Sequence, residues 1–216
     1  MSSNWLTREG FSYLPAVQFL KQPEQVRDTM GVYMIFIAGL CDLLARVGLP
    51  ISGDLATWTI GLHVHAYTGE SVAIRSRVLL HLRGTVRDSG VRESLLSFQF
   101  SHGALWRSDS NRRTRLEERL NQWLAERAMV AFQPCSYIRD VERSLIGRMP
   151  SPLNTSSNTD RAMRHALTAS RKRFRDHLRA TGQYPHRRNN APSAWLVEGT
   201  ANHLAGEPMN PTRPLL

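Results

Sequence analysis

The sequence predicts an α+β domain in which three short strands are flanked by amphipathic helices. Residues 31–37, 58–67 and 129–132 are rich in β-branched and aromatic side chains, which is typical of strands. Apolar residues recur at helical spacing in the segments between and after these runs. The chain has 216 residues, 41% of them hydrophobic, so it can bury a sizeable core. We therefore expect one compact domain with appendages.

The N-terminal residues 1–30 predict an irregular arm that ends in a short helix from Glu24 to Met30. Pro23 can open that helix, because the N–H that proline lacks has no partner in the first turn of a helix. The run from Gly31 to Ile37 is apolar on both of its faces. It therefore indicates a strand buried in the centre of the sheet.

Turn-forming residues separate the first strand from the second. A short helix from Asp42 to Val47 is expected to end at Gly48, and a loop rich in Pro, Ser and Gly follows. Alternating side chains in residues 58–67 predict the second strand, which Gly69 ends. Residues 129–132 predict the third.

Apolar side chains spaced four residues apart predict the remaining helices. In residues 71–82, Ile74, Val78 and Leu82 form one stripe that faces the core. Arg77 and His81 lie four apart beside that stripe and point the same way. By the same criterion, helices are expected at about residues 91–99, 114–127, 137–149 and 159–180.

The charge of the chain favours a polyanionic partner. The formal net charge is +10, and residues 155–190 hold nine basic residues against two acidic ones. Each Lys or Arg that neutralises a phosphate releases a condensed counterion, which favours binding to nucleic acid. We expect DNA as the partner, and a merely soluble basic protein is the alternative.

Cysteine usage and hydropathy exclude several classes of protein. Cys41 and Cys135 lie in different segments without zinc-ligand spacing, which argues against a zinc finger or a disulfide scaffold. Apolar runs stay well below the roughly 18 residues that a membrane span needs. The start of the chain also lacks the pattern of a secretory signal. We expect a cytoplasmic protein that does not bind a membrane.

Five features occur in a fixed order along the chain, namely Gly31-Val32-Tyr33, Tyr67-Thr68-Gly69, Arg77, Glu142 and Asn154. The segment from Tyr67 to His81 fixes a strand end, a turn and a helix face at once, and Arg77 stands ten positions after Tyr67. The chain resembles the GIY-YIG nuclease superfamily over residues 31–154, in particular its restriction-endonuclease-like members.

The resemblance implies a small antiparallel three-stranded sheet flanked by helices, with helical insertions and a basic C-terminal helix. The two tyrosines are farther apart than in compact members, so residues 38–57 are expected to be an insertion, and residues 83–113 another. Thr68 stands where members carry an aliphatic residue, but threonine also suits a strand. The domains are then an N-terminal arm (1–30), the nuclease domain (31–154) and a basic helical extension with a tail (155–216).

The same resemblance implies a metal-dependent endonuclease that hydrolyses DNA phosphodiester bonds. Glu142 would be the sole protein ligand of Mg²⁺ or Mn²⁺, and Arg77 would offer its forked donors to the scissile phosphate. Tyr33 would be the general base and Tyr67 would brace the phosphate, although which tyrosine acts as the base stays open. His81 would accept the proton of Tyr33 or orient its phenol.

Asn154 is the last implied site residue, and it would orient the nucleophile or a loop by hydrogen bonds. Each site residue also has a purely structural interpretation, such as a core tyrosine, a surface arginine, a structural histidine or an asparagine that caps a turn. His63 and His65 alternate on the second strand and would share a face, but a metal pair there lacks a third ligand. Glu70 and Glu93 are expected to be surface or capping residues.

Basic side chains near the site and in the C-terminal helix are expected to bind the nucleic-acid backbone. Such contacts position the nucleic acid without specifying its sequence. The predicted enzyme is a restriction or phage-defence endonuclease, with a homodimer as one expected arrangement. A non-specific or single-strand nuclease and a non-catalytic nucleic-acid-binding protein are the alternatives. The expected contact residues are Arg75, Arg83, Arg164, Arg171, Lys172, Arg173, Arg175, Arg187 and Arg188, with Arg87 and Arg92 as further candidates.

Overall fold

An antiparallel sheet with helices on both faces forms the centre of the protein. The computed structural model describes residues 4–49, 55, 57–101, 112–155, 158 and 160–183. Within these ranges the sheet has five strands, in the order β1-β5-β2-β4-β3. The strands are β1 (Ser12–Pro15), β2 (Gly31–Ala38), β3 (Thr59–Ile60), β4 (His63–Ser71) and β5 (Ala128–Pro134).

Helices connect these strands and extend the chain beyond the last of them. Most begin and end within a few residues of the predicted bounds, because apolar stripes at helical spacing mark them clearly. They are α1 (Asn4–Arg8), α2 (Ala16–Lys21), α3 (Leu40–Arg46), α4 (Ile74–Arg83), α5 (Gly90–Ser101), α6 (Arg112–Arg127), α7 (Ile138–Arg148) and α8 (Arg161–Ala180).

Strand β2 lies in the middle of the sheet, as its sequence predicts. It pairs with β4 on one side and β5 on the other, and every residue from Gly31 to Ile37 is buried. The prediction of three strands is wrong, because the described sheet also contains β1 and β3. These edge strands have four and two residues, so they are too short for alternation to reveal them.

A bulge in β4 separates the faces on which its side chains lie. The register pairs Ile35 with Tyr67 but Phe36 with His65, so Ala66 is an extra residue between the two pairs. Tyr67 therefore lies on the face of Tyr33 and Ile35, whereas His65 packs against Phe36 on the opposite face. Bulges of this kind commonly re-aim side chains next to active sites.

The bounds of the second predicted strand differ from those of β4. A turn at Gly61, whose φ is +59°, divides residues 58–67 into β3 and the start of β4. Gly69 does not end the strand, because β4 continues to Ser71 and pairs with the first residue of β2, Gly31.

Two apolar clusters cover the two faces of the sheet. The larger one packs α4, α5, α6 and α8 against the face that carries Tyr33, Ile35 and Ile37. The smaller one packs α7 and the N-terminal segment against the face that carries Val32, Met34 and Phe36. Helix α4, which carries Arg77 and His81, and helix α7, which carries Glu142, therefore lie on opposite faces of the sheet.

Residues 4–25 are packed into the fold rather than arranged as an irregular arm. Strand β1 pairs with β5, and Phe19 of α2 is fully buried. The predicted helix from Glu24 to Met30 is also wrong, since only Pro23–Gln25 forms a 3₁₀ turn. The segment after this turn holds the first turn of α4, because the carboxylate of Asp28 accepts hydrogen bonds from both the backbone N–H and the hydroxyl of Ser76.

Helix α8 is part of the core and begins where the sequence predicts. The side chain of Asp160 accepts a hydrogen bond from the N–H of Met163 and so caps the helix. The stripe of Met163, Leu167, Phe174 and Leu178 is buried, and α8 packs along α5. This helix therefore supports the domain, and only part of its basic surface is available to a partner.

Candidate active site

The two motif glycines are fixed by close contacts that exclude any side chain. A Cβ built on Gly69 would lie 2.5 Å from Oη of Tyr33 and 2.7 Å from a ring carbon of Tyr67. A Cβ on Gly31 would lie 2.2 Å from the carbonyl oxygen of Gln133. Real Cβ atoms do not approach other atoms so closely, so Tyr33 reaches its place because β4 has no side chain at Gly69, and β2 packs closely against β5 because it has none at Gly31.

Tyr33 and His81 form a buried hydrogen-bonded pair. Oη of Tyr33 lies 2.6 Å from Nε2 of His81, and Nδ1 of the same ring lies 2.6 Å from Oγ of Ser89. Burial and the negative charge of an ionised Tyr67 raise the pKa of Tyr33 well above its usual value, while Arg77 lowers it. Burial, Arg77 and Arg92 hold the pKa of His81 well below its usual value. The ring of His81 is therefore neutral at pH 7.

Tyr67 and Arg77 complete this side of the site. The ring centroid of Tyr67 lies 6.1 Å from that of Tyr33 and 5.2 Å from that of His81. The guanidinium of Arg77 donates to the carbonyl oxygen of Asp88 at 3.0 Å. Burial raises the pKa of Tyr67, and the charge of Arg77 opposes that rise. The structure thus brings both predicted tyrosines, the arginine and the histidine together.

Glu142 approaches this group from the opposite face of the sheet, on α7. It is close enough to Tyr67 that its charge raises the pKa of that phenol. Burial raises the pKa of Glu142 itself, and the neighbouring carboxylate of Glu70 raises it further. Oε2 of Glu70 is buried without a hydrogen-bond partner, although Oε1 lies 3.8 Å from a nitrogen of Arg139. Glu70 is therefore more than the surface or capping residue expected.

These two carboxylates are the oxygen donors that could hold a divalent cation. They repel each other, and one of their oxygens lacks a partner, so a cation would relieve both conditions. Within the described ranges, no group of three or more His, Cys, Asp or Glu side chains could hold a metal ion. Water or substrate oxygens would have to supply the other ligands, as is usual for Mg²⁺.

Asn154 holds strand β4 at the second motif. Its Nδ2 donates to the carbonyl oxygen of Thr68 at 2.7 Å, and its Oδ1 accepts from the N–H of the same residue at 3.0 Å. The N–H of Leu153 also donates to the carbonyl oxygen of Ala66. The amide of Asn154 therefore makes the two hydrogen bonds that a neighbouring strand would otherwise make with Thr68 at the outer edge of β4. It therefore orients the motif itself.

His63 and His65 do not form a metal pair. His65 is fully buried, with Nδ1 bonded to the carbonyl oxygen of Pro150 at 2.7 Å and Nε2 to the hydroxyl of Thr68 at 2.9 Å. Burial lowers its pKa to about 4. Since both ring nitrogens are occupied by the protein, His65 links β4 to the segment after α7 and is a structural residue.

Two arginines expected to contact nucleic acid are buried instead. Arg92 is fully buried and donates to the carbonyl oxygens of Leu82 and Glu117. Arg171 donates to Oγ of Ser94 and the carbonyl oxygen of Leu153, and its charge lowers the pKa of Tyr67. Their assignment to the binding surface is wrong, because buried guanidiniums here satisfy backbone carbonyls and a hydroxyl.

The other predicted contact residues differ in their surroundings. Arg175 pairs with Glu93 at 2.9 Å, and Glu93 is mostly buried, which corrects its assignment as a surface or capping residue. Arg75 lies 3.8 Å from Asp28, and Arg83 is half-buried. Lys172, paired with Asp176, and Arg173 are exposed and Arg164 is partly buried, all on α8. Arg187 and Arg188 lie outside the described residues.

Sequence patterns missed three residues that contact the catalytic group: Ser89, Arg92 and Glu70. Ser89 and Arg92 fall in the segment expected to be an insertion, and a serine before an amphipathic helix signals only a helix cap. Glu70 follows the second motif directly, so its position was visible. Its approach to Glu142 depends on packing across the edge of β4, which the sequence does not show.

The sheet with its flanking helices and the buried polar group define a mixed α/β domain that holds phenol, imidazole and guanidinium side chains together on one face of the sheet. In the comparison with known families, residues 31–173 match the GIY-YIG catalytic domain. The chain belongs to this family, whose members are nucleases that act on nucleic acid and generally depend on a divalent metal.

The matched region extends past residue 154 and includes more than half of helix α8, in agreement with the packing of that helix in the core. Comparisons with curated proteins and with solved structures gave no match. None of the helices in the described ranges combines the length and the apolar character that crossing a bilayer requires.

Proposed function

We propose that this protein is a metal-dependent endonuclease that hydrolyses phosphodiester bonds in DNA. The observation that carries the proposal is the buried contact of 2.6 Å between Tyr33 and His81, with Arg77 and Tyr67 beside it. Such a hydrogen-bonded group adds little to the stability of a core, since replacing both partners of a buried hydrogen bond by apolar groups of the same shape can be nearly neutral. Its retention here is explained by a reaction that moves a proton beside a phosphate.

The residues of the chain have distinct tasks in this reaction. Arg77 offers donors to the phosphoryl oxygens, on which negative charge grows in the transition state. Tyr33 takes a proton from the attacking water once its phenol has ionised, and Tyr67 lies next to the same oxygens. Asn154 keeps Tyr67 in place through Thr68. A divalent cation held by Glu142, with Glu70 beside it, would supply Lewis-acid stabilisation of the phosphate.

Because burial keeps Tyr33 protonated at neutral pH, only a small fraction of the protein holds the reactive phenolate. The pKa of Tyr33 is raised, so this fraction grows as the pH rises. We expect the cleavage rate to rise steadily from neutral to mildly alkaline pH. A rate that falls over this range, in a protein that stays folded, would exclude a tyrosine base.

Replacement of one carboxylate tests the proposal directly. Purified protein is incubated with supercoiled plasmid and Mg²⁺, with and without EDTA, and nicked and linear products are followed on a gel. We expect Glu142→Gln to abolish cutting while binding of DNA persists. Asp140→Asn is the matched control, because Asp140 is an exposed carboxylate on the same helix and its loss changes the net charge equally. Equal loss of cutting in both variants would refute the role of Glu142.

The same assay separates a restriction or phage-defence enzyme from a non-specific nuclease. Several unrelated plasmids are digested to completion. Discrete bands that differ between plasmids indicate recognition of a short sequence, whereas a continuous smear indicates cutting without base recognition. The basic side chains of α8 contact the backbone in either case, and backbone contacts position DNA without specifying its sequence.

A further inference from the structure

Ser89 links the beginning of helix α5 to the imidazole of His81. Its Oγ accepts a hydrogen bond from the backbone N–H of Arg92 at 3.2 Å, as the N-cap serine of a helix does. The same oxygen lies 2.6 Å from Nδ1 of His81, and Nε2 of that ring lies 2.6 Å from Oη of Tyr33. All three side chains are buried. They form one row of two hydrogen bonds.

This row holds one hydrogen more than its two hydrogen bonds can use. Each hydroxyl carries one hydrogen, and the neutral imidazole carries one on a ring nitrogen. His81 is neutral because burial and the charges of Arg77 and Arg92 oppose a second ring proton. Two of the three hydrogens lie within the row, so the third belongs to the hydroxyl at one of its ends. The end at which it lies decides which nitrogen of His81 carries the ring hydrogen.

The two ends of the row differ in what they offer that extra hydrogen. At the Ser89 end, the other neighbour within the described residues is the N–H of Arg92, which is itself a donor. At the Tyr33 end stands the phenol of Tyr67, and each phenol changes the pKa of the other. A phenol oxygen can accept a hydrogen bond. The extra hydrogen is therefore better placed on Tyr33, directed away from His81.

We propose that Ser89 donates its hydroxyl hydrogen to Nδ1 of His81 and so fixes the tautomer in which Nε2 carries the ring hydrogen. Nε2 then donates to Oη of Tyr33. Ser89 is a positioning residue in this proposal, since it acts on the reaction through His81. The consequence for cleavage rests on the proposed nuclease function, whereas the tautomer itself does not.

This tautomer makes His81 a donor to Tyr33 and not the acceptor of its proton. The Nδ1 lone pair is occupied by Ser89, and Nε2 already carries a hydrogen. When Tyr33 ionises, its proton passes to solvent water on the side of Tyr67, which is partly exposed, and the phenolate oxygen keeps the hydrogen bond from Nε2. His81 thereby stabilises the reactive form of Tyr33, because hydrogen bonds to a charged group favour that form.

The tautomer can be measured in the whole protein without DNA or metal. Protein with ¹⁵N-labelled histidine is studied by NMR, and couplings from the ring nitrogens to the carbon-bound hydrogens show which nitrogen is protonated. The signals of His81 are identified by their loss in His81→Gln. We expect the hydrogen on Nε2 in the native chain and in Ser89→Thr, which keeps the hydroxyl.

Ser89→Asp separates this role from simple helix capping. Aspartate caps a helix as well as serine does, but its carboxylate can only accept a hydrogen bond. We expect Ser89→Asp to draw the hydrogen to Nδ1 and to cut plasmid at least about 10²-fold more slowly than Ser89→Thr, a typical contribution of acid–base groups. A role in capping alone would leave the tautomer unchanged in both variants.

Two results would overturn the proposal. One is a native protein whose His81 carries its hydrogen on Nδ1, and this measurement decides the matter even where Ser89→Asp does not fold. The other is a folded Ser89→Asp variant in which Nδ1 of His81 still carries no hydrogen. If the native protein shows the expected tautomer yet cuts no DNA, the nuclease function fails while the assignment of Ser89 stands.

Discussion

Replacing Gly69 with alanine would place a methyl group inside the contact between the two motif tyrosines. The new Cβ would lie 2.5 Å from Oη and 2.6 Å from Cζ of Tyr33. Tyr33 is fully buried and hydrogen-bonded to His81 at 2.6 Å, so its phenol cannot move without disturbing that bond and the packing around it. Relief of the clash therefore requires displacement of the phenol, and the hydrogen bond to His81 is then lost.

The cost of this change follows from two terms. Overpacking a well-packed core costs about 1–3 kcal/mol, and the lost hydrogen bond adds about 0.5–1.5 kcal/mol. We expect Gly69→Ala to lower the free energy of unfolding by about 2–4 kcal/mol, which lowers the melting temperature by about 4–16 °C for a chain of this size. The rate of cleavage should fall by more than partial unfolding of the protein explains, because the displaced phenol is the proposed base.

Gly147→Ala is the matched control for this substitution. Gly147 lies within helix α7, and a Cβ built there meets no atom within 4 Å. Alanine in the interior of a helix is more stable than glycine by about 0.5–1 kcal/mol, so this variant should gain stability. Urea unfolding and plasmid cutting are measured for both. If Gly69→Ala unfolds and cuts like the native protein, the close packing of Tyr33 against Gly69 is wrong.

Three further predictions concern a buried histidine, a buried arginine and two arginines at the surface of α8. His65 alone should lower the free energy of unfolding by up to about 3 kcal/mol as the pH drops from 6.5 towards 4, because burial holds its pKa at about 4 and protonation favours the unfolded chain. Urea unfolding across this range should show a smaller fall in His65→Gln. Arg171→Met should destabilise the fold by about 1–3 kcal/mol, because its acceptors lose their donor. Lys172→Met, at an exposed site, should change stability by less than about 0.5 kcal/mol. Binding of DNA is measured in the Glu142→Gln background, which should bind without cutting. There, Arg164→Gln and Arg173→Gln should each reduce the slope of the logarithm of the binding constant against the logarithm of the salt concentration by about 0.9.

The sequence predicts the elements that carry strong periodicity, and it misses those held by long-range pairing. Strand β2 and helices α4 to α8 were predicted because apolar side chains mark each of them. Strands β1 and β3 have too few residues for such a pattern. Helix α2 lies in a segment without clear periodicity, although Phe19 and Leu20 are buried. Short elements of this kind form because a neighbouring strand or helix is already in place.

The site shows the same division between local and long-range information. Tyr33, Tyr67, Arg77 and His81 share one side of the sheet, and motif spacing predicted all four as site residues. Their chemistry depends on contacts that spacing does not show, such as that between His81 and Ser89. Arg171 illustrates the opposite error, because its basic neighbours on α8 suggested a surface residue while its own helix position faces α5.

The bulge at Ala66 explains how residues on both faces of the sheet can serve one site. In a regular strand, His65 and Tyr67 would lie on the same face. The extra residue turns Tyr67 towards Tyr33 and Arg77, while His65 stays on the face of α7 and binds the segment after that helix through Pro150. Strand β4 thus contacts α4 through Tyr67 and holds the segment after α7 through His65. Without the bulge these two residues would share a face, so either Tyr67 would turn away from Tyr33 or His65 would leave the face of α7, even if every catalytic side chain were retained.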